Sequence, residues 1–377
     1  MNQNHSVKRS LSEVNQSVEV PHNSSFWNTL RAFLGPGALV AVGYMDPGNW
    51  ITSVIGGATY RYLLLFVVLV SSLMAMQLQQ MAGKLGIVTR QDLAQATASR
   101  LPKPLRYLLF IIIELALIAT DLDAMFKGFL PHHELFNISH EGKNSPLTLA
   151  LGIIGATVMP HNLYLHSSLS QTRRVDYHNK SSIKKAVRFM TLDSNIQLSL
   201  AFVVNSLLLV LGASLFYGHA NDISAFSQMY LALSDKTITG AVASSFLSTL
   251  FAVALLASGQ NSTITGTLTG QIVMEGFLHF KLPQWLIRLC TRLLTLLPIF
   301  VIALLVGGEE NTLDQLIVYS QVFLSLALPF SIFPLIYFTS QKSIMGEHAN
   351  AKWNTYLAYL VAIILTLLNL KLIMDLL

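Results

Sequence analysis

Long apolar runs alternate with short polar connections along almost the whole chain. Runs near residues 31–57, 60–83, 104–122, 147–170, 191–216, 241–258, 287–307, 313–337 and 353–375 are each close to the roughly 20 residues that carry a helix across a bilayer. The pattern predicts an all-α polytopic membrane protein of about nine transmembrane helices. Residues 1–25 are polar and show no sustained period, which predicts a disordered tail. The remainder, 26–377, reads as a single transmembrane domain. Residues 91–99 predict a short interfacial helix. The sixth run carries a polar-faced extension through Gly266 and Gly270 towards Glu275.

Two of the runs are interrupted in the same way, by Asp46-Pro47-Gly48-Asn49 in the first and Met159-Pro160-His161-Asn162 in the fourth. Proline lacks the N–H that would bond one turn back, and its ring clashes with that turn. Each site therefore predicts two half-helices joined by an unwound piece. At membrane depth such backbone is tolerated only where it lines an enclosed cavity, and an intramembrane carboxylate marks a functional site by default. Broken helices in corresponding places of two halves point to the substrate site of a secondary transporter.

Composition supports the membrane reading. Charged residues make up 11% of the chain and hydrophobic ones 53%, against roughly 25% charged in soluble domains. The single cysteine, Cys290, rules out a disulfide framework and a cysteine-based zinc site. No cleavable signal peptide is expected, because the first apolar run is too long and lacks a small-residue cleavage site. The net charge of +5 needs no nucleic acid to explain it, since 19 of the 24 Lys and Arg residues fall in one alternate set of loops. The positive-inside rule then places the N-terminus in the cytoplasm and the C-terminus outside.

If the two interruptions face each other, they gather the Asp46 carboxylate, the Asn49 amide oxygen and the Met159 thioether. Unwinding also frees carbonyls one turn earlier, with Gly43 and Ala156 the expected contributors. Hard oxygens with one soft sulfur favour later or softer divalent ions over Mg²⁺ and Ca²⁺. One carboxylate undercompensates such an ion, so further acids are expected nearby. Glu114 and Asp121 stand seven residues apart on one face of the third run, and His161 and His166 follow the second break. Embedded titratable groups of this kind suit a proton path. Plainer readings stand beside these. Asp46 can cap the second half-helix, Met159 can fill core space, and the histidines can be structural. Arg292 can snorkel, and Gln321 can either join helices or close on an ion. The chain has no His-Glu-x-x-His or Ser/His/Asp pattern, so an enzyme is not expected. A thioether opposite an aspartate argues against an amino-acid site.

The two interrupted motifs, with Leu165-His166-Ser167-Ser168, Ala119-Thr120-Asp121-Leu122, Gly266-Thr267-Leu268-Thr269-Gly270-Gln271 and Ser320-Gln321-Val322, resemble the Nramp family of divalent-metal transporters. The likeness is strongest to its bacterial MntH-type manganese–proton symporters and runs from about residue 30 to the C-terminus. It implies a LeuT-like five-plus-five inverted repeat. Mn²⁺, and Fe²⁺ with it, would be cargo, protons the coupling ion and the lipid bilayer the setting. It implies no resident cofactor, no nucleic acid and no obligatory protein partner. The implied metal ligands are Asp46, Asn49, Met159, the carbonyls of Gly43 and Ala156, and a state-dependent Gln321. The implied proton route uses Asp46, Glu114, Asp121, His161 and Arg292.

The chain departs from the family's usual eleven helices. The fourth and fifth are missing, with a join near Leu122–Met125. This leaves an incomplete first repeat (31–122), a second repeat (147–337) and an extra terminal helix (353–375). Ala124 stands where the family has an acid, and a paired arginine is reduced to Thr291-Arg292. Two alternatives follow: a deletion variant that binds metal without transporting it, and a Na⁺- or H⁺-coupled organic-solute transporter on the same fold.

Overall fold

The computed structural model describes residues 10–21, 25–129, 157–223, 226–278 and 327–376, with isolated positions at 153, 285, 286, 289 and 293. Helix α1 (Phe26–Phe33) is amphipathic. Its N-terminus is capped by the Ser25 side chain, which accepts from the Asn28 N–H, and Thr29, Leu30 and Phe33 face inward. The chain then breaks before α2 (Pro36–Gly43). The sequence predicted one run from residue 31. The break arises because Gly35 adopts φ +139°, open only to glycine, and Pro36 suits the first position of a new helix.

Helix α3 (Pro47–Tyr60) follows the second interruption of this segment. Next come α4 (Leu65–Thr89), α5 (Leu93–Ala98) and α6 (Lys103–Phe129). After the second motif lie α7 (Pro160–Leu169) and α8 (Lys180–Leu215). Two short helices then lead to α9 (Ser245–Leu278), which runs on past Gly266 and Gly270 to the level of Glu275. The chain ends with α10 (Ala327–Ser340) and α11 (Lys352–Leu376). Among the described residues, α4 and α8 are each long and apolar enough to cross a membrane. A third span, α9, qualifies together with residues 236–242, from which it is bent by 94°. Most of the expected runs at 287–307 and 313–337, and the start of that at 147–170, lie outside the described residues.

Helix α8 is the spine, packed along α2, α3 and α4. Small residues let the backbones meet. A Cβ on Gly57 would lie 2.0 Å from the Leu209 carbonyl oxygen, and one on Gly212 2.0 Å from that of Val54. Helix α9 forms the other wall, against α6, α7, α5 and α2. In α6, Ile113, Glu114 and Leu117 are buried while Leu108, Ile111 and Leu115 are exposed. The buried face that carries Glu114 packs against α9.

Two expectations are corrected. Residues 91–99 do form a short helix, but not one with an open face: all six residues of α5 are buried, packed against α9 and α7. Nor is the tail disordered throughout 1–25. Residues Val18–Glu19 (β1) pair in parallel with Arg173–Arg174 (β2). Leu11 is 2% exposed within the main apolar cluster, and its N–H donates to Glu275 Oε2 at 2.9 Å. Gln95 Nε2 donates to Ser10 Oγ. This strap, with α2 and α9, lines a cavity of about 640 Å³. One buried leucine and a few backbone bonds order the segment, which a test for sustained periodicity does not detect.

Candidate metal centre

At the first interruption α2 stops at Gly43 and α3 restarts at Pro47. The Gly43 carbonyl would be met four residues on by an N–H, but that residue is Pro47 and has none. Asp46 is the cap residue of α3. Its Oδ1 accepts from the Asn49 backbone N–H at 3.1 Å and from Asn49 Nδ2 at 2.5 Å. The capping role considered from the sequence is thus realised, and it orients both proposed side-chain ligands. With Nδ2 donating to the carboxylate, the Asn49 amide oxygen is turned away from Asp46 Oδ1. Asp46 and Asn49 are 2% and 1% exposed.

The other carbonyls of the unwound piece are occupied. Asn205 Nδ2 of α8 donates to Tyr44 O at 3.0 Å. Trp50 Nε1 and Ser258 Oγ of α9 both donate to Met45 O. Gln79 Nε2 donates to the Tyr44 hydroxyl, and Gln79 Oε1 meets His166 Nδ1 at 3.0 Å. His166 is therefore part of a buried polar chain running back to the first break. Sequence reasoning missed Asn205, Ser258 and Gln79. Their only signal was a polar side chain in the middle of an apolar helix.

At the second interruption Met159 takes the cap position of α7 and makes no side-chain cap bond. A thioether cannot serve the first-turn N–H groups as an oxygen does. Met159 and His161 are each 2% exposed. The His161 carbonyl accepts from Thr269 Oγ1 at 3.5 Å, while His161 Nδ1 has no partner among the described residues. The two breaks meet where the Asn162 carboxamide of α7 lies against Gly43.

Glu114 is buried on α6, a helix packed mainly on α9, with lesser contact to α3 and α7. Asp121 lies in α6, its side chain outside the described residues. Ala156, Arg292 and Gln321 also lie outside them. Among the described residues, no three His, Cys, Asp or Glu side chains converge as a metal cluster. A site built from one carboxylate, an amide, a thioether and carbonyls does not need such a cluster.

The family model described as Natural resistance-associated macrophage protein-like (Nramp) matches residues 37–141 and 121–375. The chain is 46% identical over 436 residues to the divalent metal cation transporter MntH of Lacticaseibacillus paracasei, covering 97% of this chain and 94% of that protein. It is 45% identical over 446 residues to the protein of the same name in Staphylococcus aureus, covering 99% and 98%. The crystal structure of the Eremococcus coleocola manganese transporter with an aromatic bis-isothiourea substituted compound superposes with TM-score 0.85 at 43% identity. That superposition covers 96% of this chain and 90% of the other. In the first of these alignments 97% of the chain, about 366 residues, is spread over 436 positions, so about 70 positions of the relative have no counterpart here. The divided family match, which meets at 121–141, fits an internal gap there. Identity of this order across nearly the whole of both partners is the mark of common descent, and the chain belongs to the Nramp family.

Proposed function

We propose that this protein imports divalent transition-metal ions, Mn²⁺ foremost and Fe²⁺ with it, across the cell membrane together with protons. The observation that carries this reading is the first break. One buried carboxylate is fixed by Asn49 at a joint where Pro47 leaves the Gly43 carbonyl without its helical partner. Asp46 would supply the charge and Asn49 and the Gly43 and Ala156 carbonyls neutral oxygens. Met159 would supply the sulfur that favours transition ions over Ca²⁺ and Mg²⁺, and Gln321 would close on the loaded site. Asp46, Glu114, Asp121, His161 and Arg292 would carry the proton. The relatives' names and the family's membership support metal transport. The fold is read as the LeuT-like inverted repeat with an incomplete first half. The protein would sit in the inner membrane, N-terminus in the cytoplasm and C-terminus outside.

The 70 or so aligned positions without a counterpart favour a second reading, a variant that binds the ion but does not cycle. Proteoliposomes containing this chain separate the two. Mn²⁺ uptake that rises with external acidity and vanishes in Asp46→Ala supports the symporter. Calorimetric Mn²⁺ binding without uptake supports the variant. Absence of both overturns the metal reading.

A further inference from the structure

Asn162, third residue of α7, is 0% exposed, and neither its Oδ1 nor its Nδ2 has a hydrogen-bond partner among the described residues. The carboxamide lies flat against the end of α2: a Cβ on Gly43 would stand 2.6 Å from Oδ1 and 2.8 Å from Nδ2. Gly43 is the residue whose carbonyl Pro47 cannot engage. The amide therefore packs directly on the residue that presents the freed carbonyl.

A buried amide with nothing to bond is costly, and native structures rarely keep one without a reason. Packing alone does not supply the reason, because leucine has nearly the same shape and no polar atoms to desolvate. Capping does not supply it either, since the cap position belongs to Met159. The remaining explanation is a partner that comes and goes. A divalent ion entering the joint would take Asp46, Asn49, Met159 and the Gly43 carbonyl and still keep water to complete its shell. Water polarised by a dication donates strongly and needs a fixed acceptor.

We propose that Asn162 is a further residue of the metal centre, its carboxamide oxygen accepting a hydrogen bond from a water retained by the partly dehydrated divalent cation. The inference rests on the metal reading above. It adds a neutral outer contact, carried by α7, that registers the ion against both breaks at once. It also makes a two-sided prediction. The polar atoms of Asn162 cost stability when the site is empty and contribute affinity when it is filled.

The test uses the full chain in detergent, with Mn²⁺ titrated calorimetrically and melting followed without metal. Asn162→Leu is expected to bind Mn²⁺ about tenfold more weakly while melting, without metal, at or above the parent temperature. Asn162→Ala should weaken binding similarly, and it stands in if the leucine variant does not fold. Parental affinity in both variants would overturn the proposal. So would a lowered metal-free melting temperature with affinity intact, which marks a packing residue. Asp46→Ala run in parallel separates the two levels. If it keeps parental binding, the metal reading itself fails. If it loses binding while the Asn162 variants keep theirs, only this inference fails.

Discussion

The two breaks use the same proline device and differ in what stands before it. Asp46 satisfies the start of α3 with its own oxygen and holds Asn49 in place, so the cap of the first joint comes from within it. Met159 caps nothing, and the residues that follow it, His161 and Asn162, keep buried polar atoms with no partner among the described residues. The cap of the first joint is local, while its Tyr44 and Met45 carbonyls are held by Asn205 of α8 and Ser258 of α9. In the second, the unpartnered Asn162 carboxamide lies against Gly43 of the first. A hard, charged half and a soft, unsatisfied half suit a site that must bind a transition ion and later release it. Affinity would come mainly from the first joint and discrimination from the second.

The strongest test of that division is the charge. Asp46→Ala removes the one anionic partner of a buried dication, a loss of about 3 kcal/mol or more and so about a hundredfold or more in affinity. Mn²⁺ binding should become undetectable by calorimetry. Because Asn49 loses its anchor at the same time, Asp46→Asn should fare little better. Affinity within a few-fold of the parent in either variant would make the two breaks equivalent and dissolve the comparison.

A smaller, selective effect is expected at the other joint. Met159→Ala should weaken Cd²⁺ by about tenfold and Mn²⁺ by less, because Cd²⁺ gains more from sulfur, and it should narrow the margin over Ca²⁺. Competition binding with the three ions reads this directly. Unchanged discrimination would reduce Met159 to a space filler.

The smallest effect concerns a third buried cap, Asp92, which serves as the control. Its Oδ1 accepts from the Gln95 N–H at 2.9 Å, and Gln95 Oε1 accepts from the Asp92 N–H at 3.2 Å, a complete capping box on α5. Burial, aided by Glu275, pushes the Asp92 carboxyl up to about 6 against bonds from Ser10, Gln95 and Ala94 that pull it down. The folded state thus holds this proton more tightly than the unfolded chain. Its contribution to stability is full below the ordinary aspartate range and is lost as pH rises through about 6. Asp92→Asn, which can still cap, should be no less stable at pH 8 and flatten the fall in melting temperature between pH 4 and pH 7, with Mn²⁺ affinity untouched. A parallel loss of metal binding would show that buried aspartate caps are interchangeable here, against the distinction drawn for Asp46.

Much of this was readable in one dimension, because backbone chemistry is local. Pro47 has no N–H wherever it sits, so the break at Gly43 and the liberated carbonyl follow from the sequence, as does the capping position of Asp46. The apolar run lengths likewise announced a membrane protein. Polar residues inside apolar helices were harder to assign. Asn205, Ser258 and Gln79 read as isolated exceptions, yet they secure the Tyr44 and Met45 carbonyls and the Tyr44 hydroxyl. The partner of each lies 35 to more than 200 residues away along the chain, beyond any periodic signal.

The sequence by itself determined where the helices break and which donor atoms the breaks present, since those depend on proline, on residue chemistry and on spacing within a turn. Only the tertiary structure decided which of those atoms are satisfied. It closed the carbonyls of Tyr44 and Met45, laid the Asn162 amide on Gly43, and buried Glu114, α5 and the strap at Leu11. The physical reason is that a hydrogen bond in a dry interior is made or lost by which helix packs beside it, and the close approach of α8 and α9 to the first break is a property of the whole bundle.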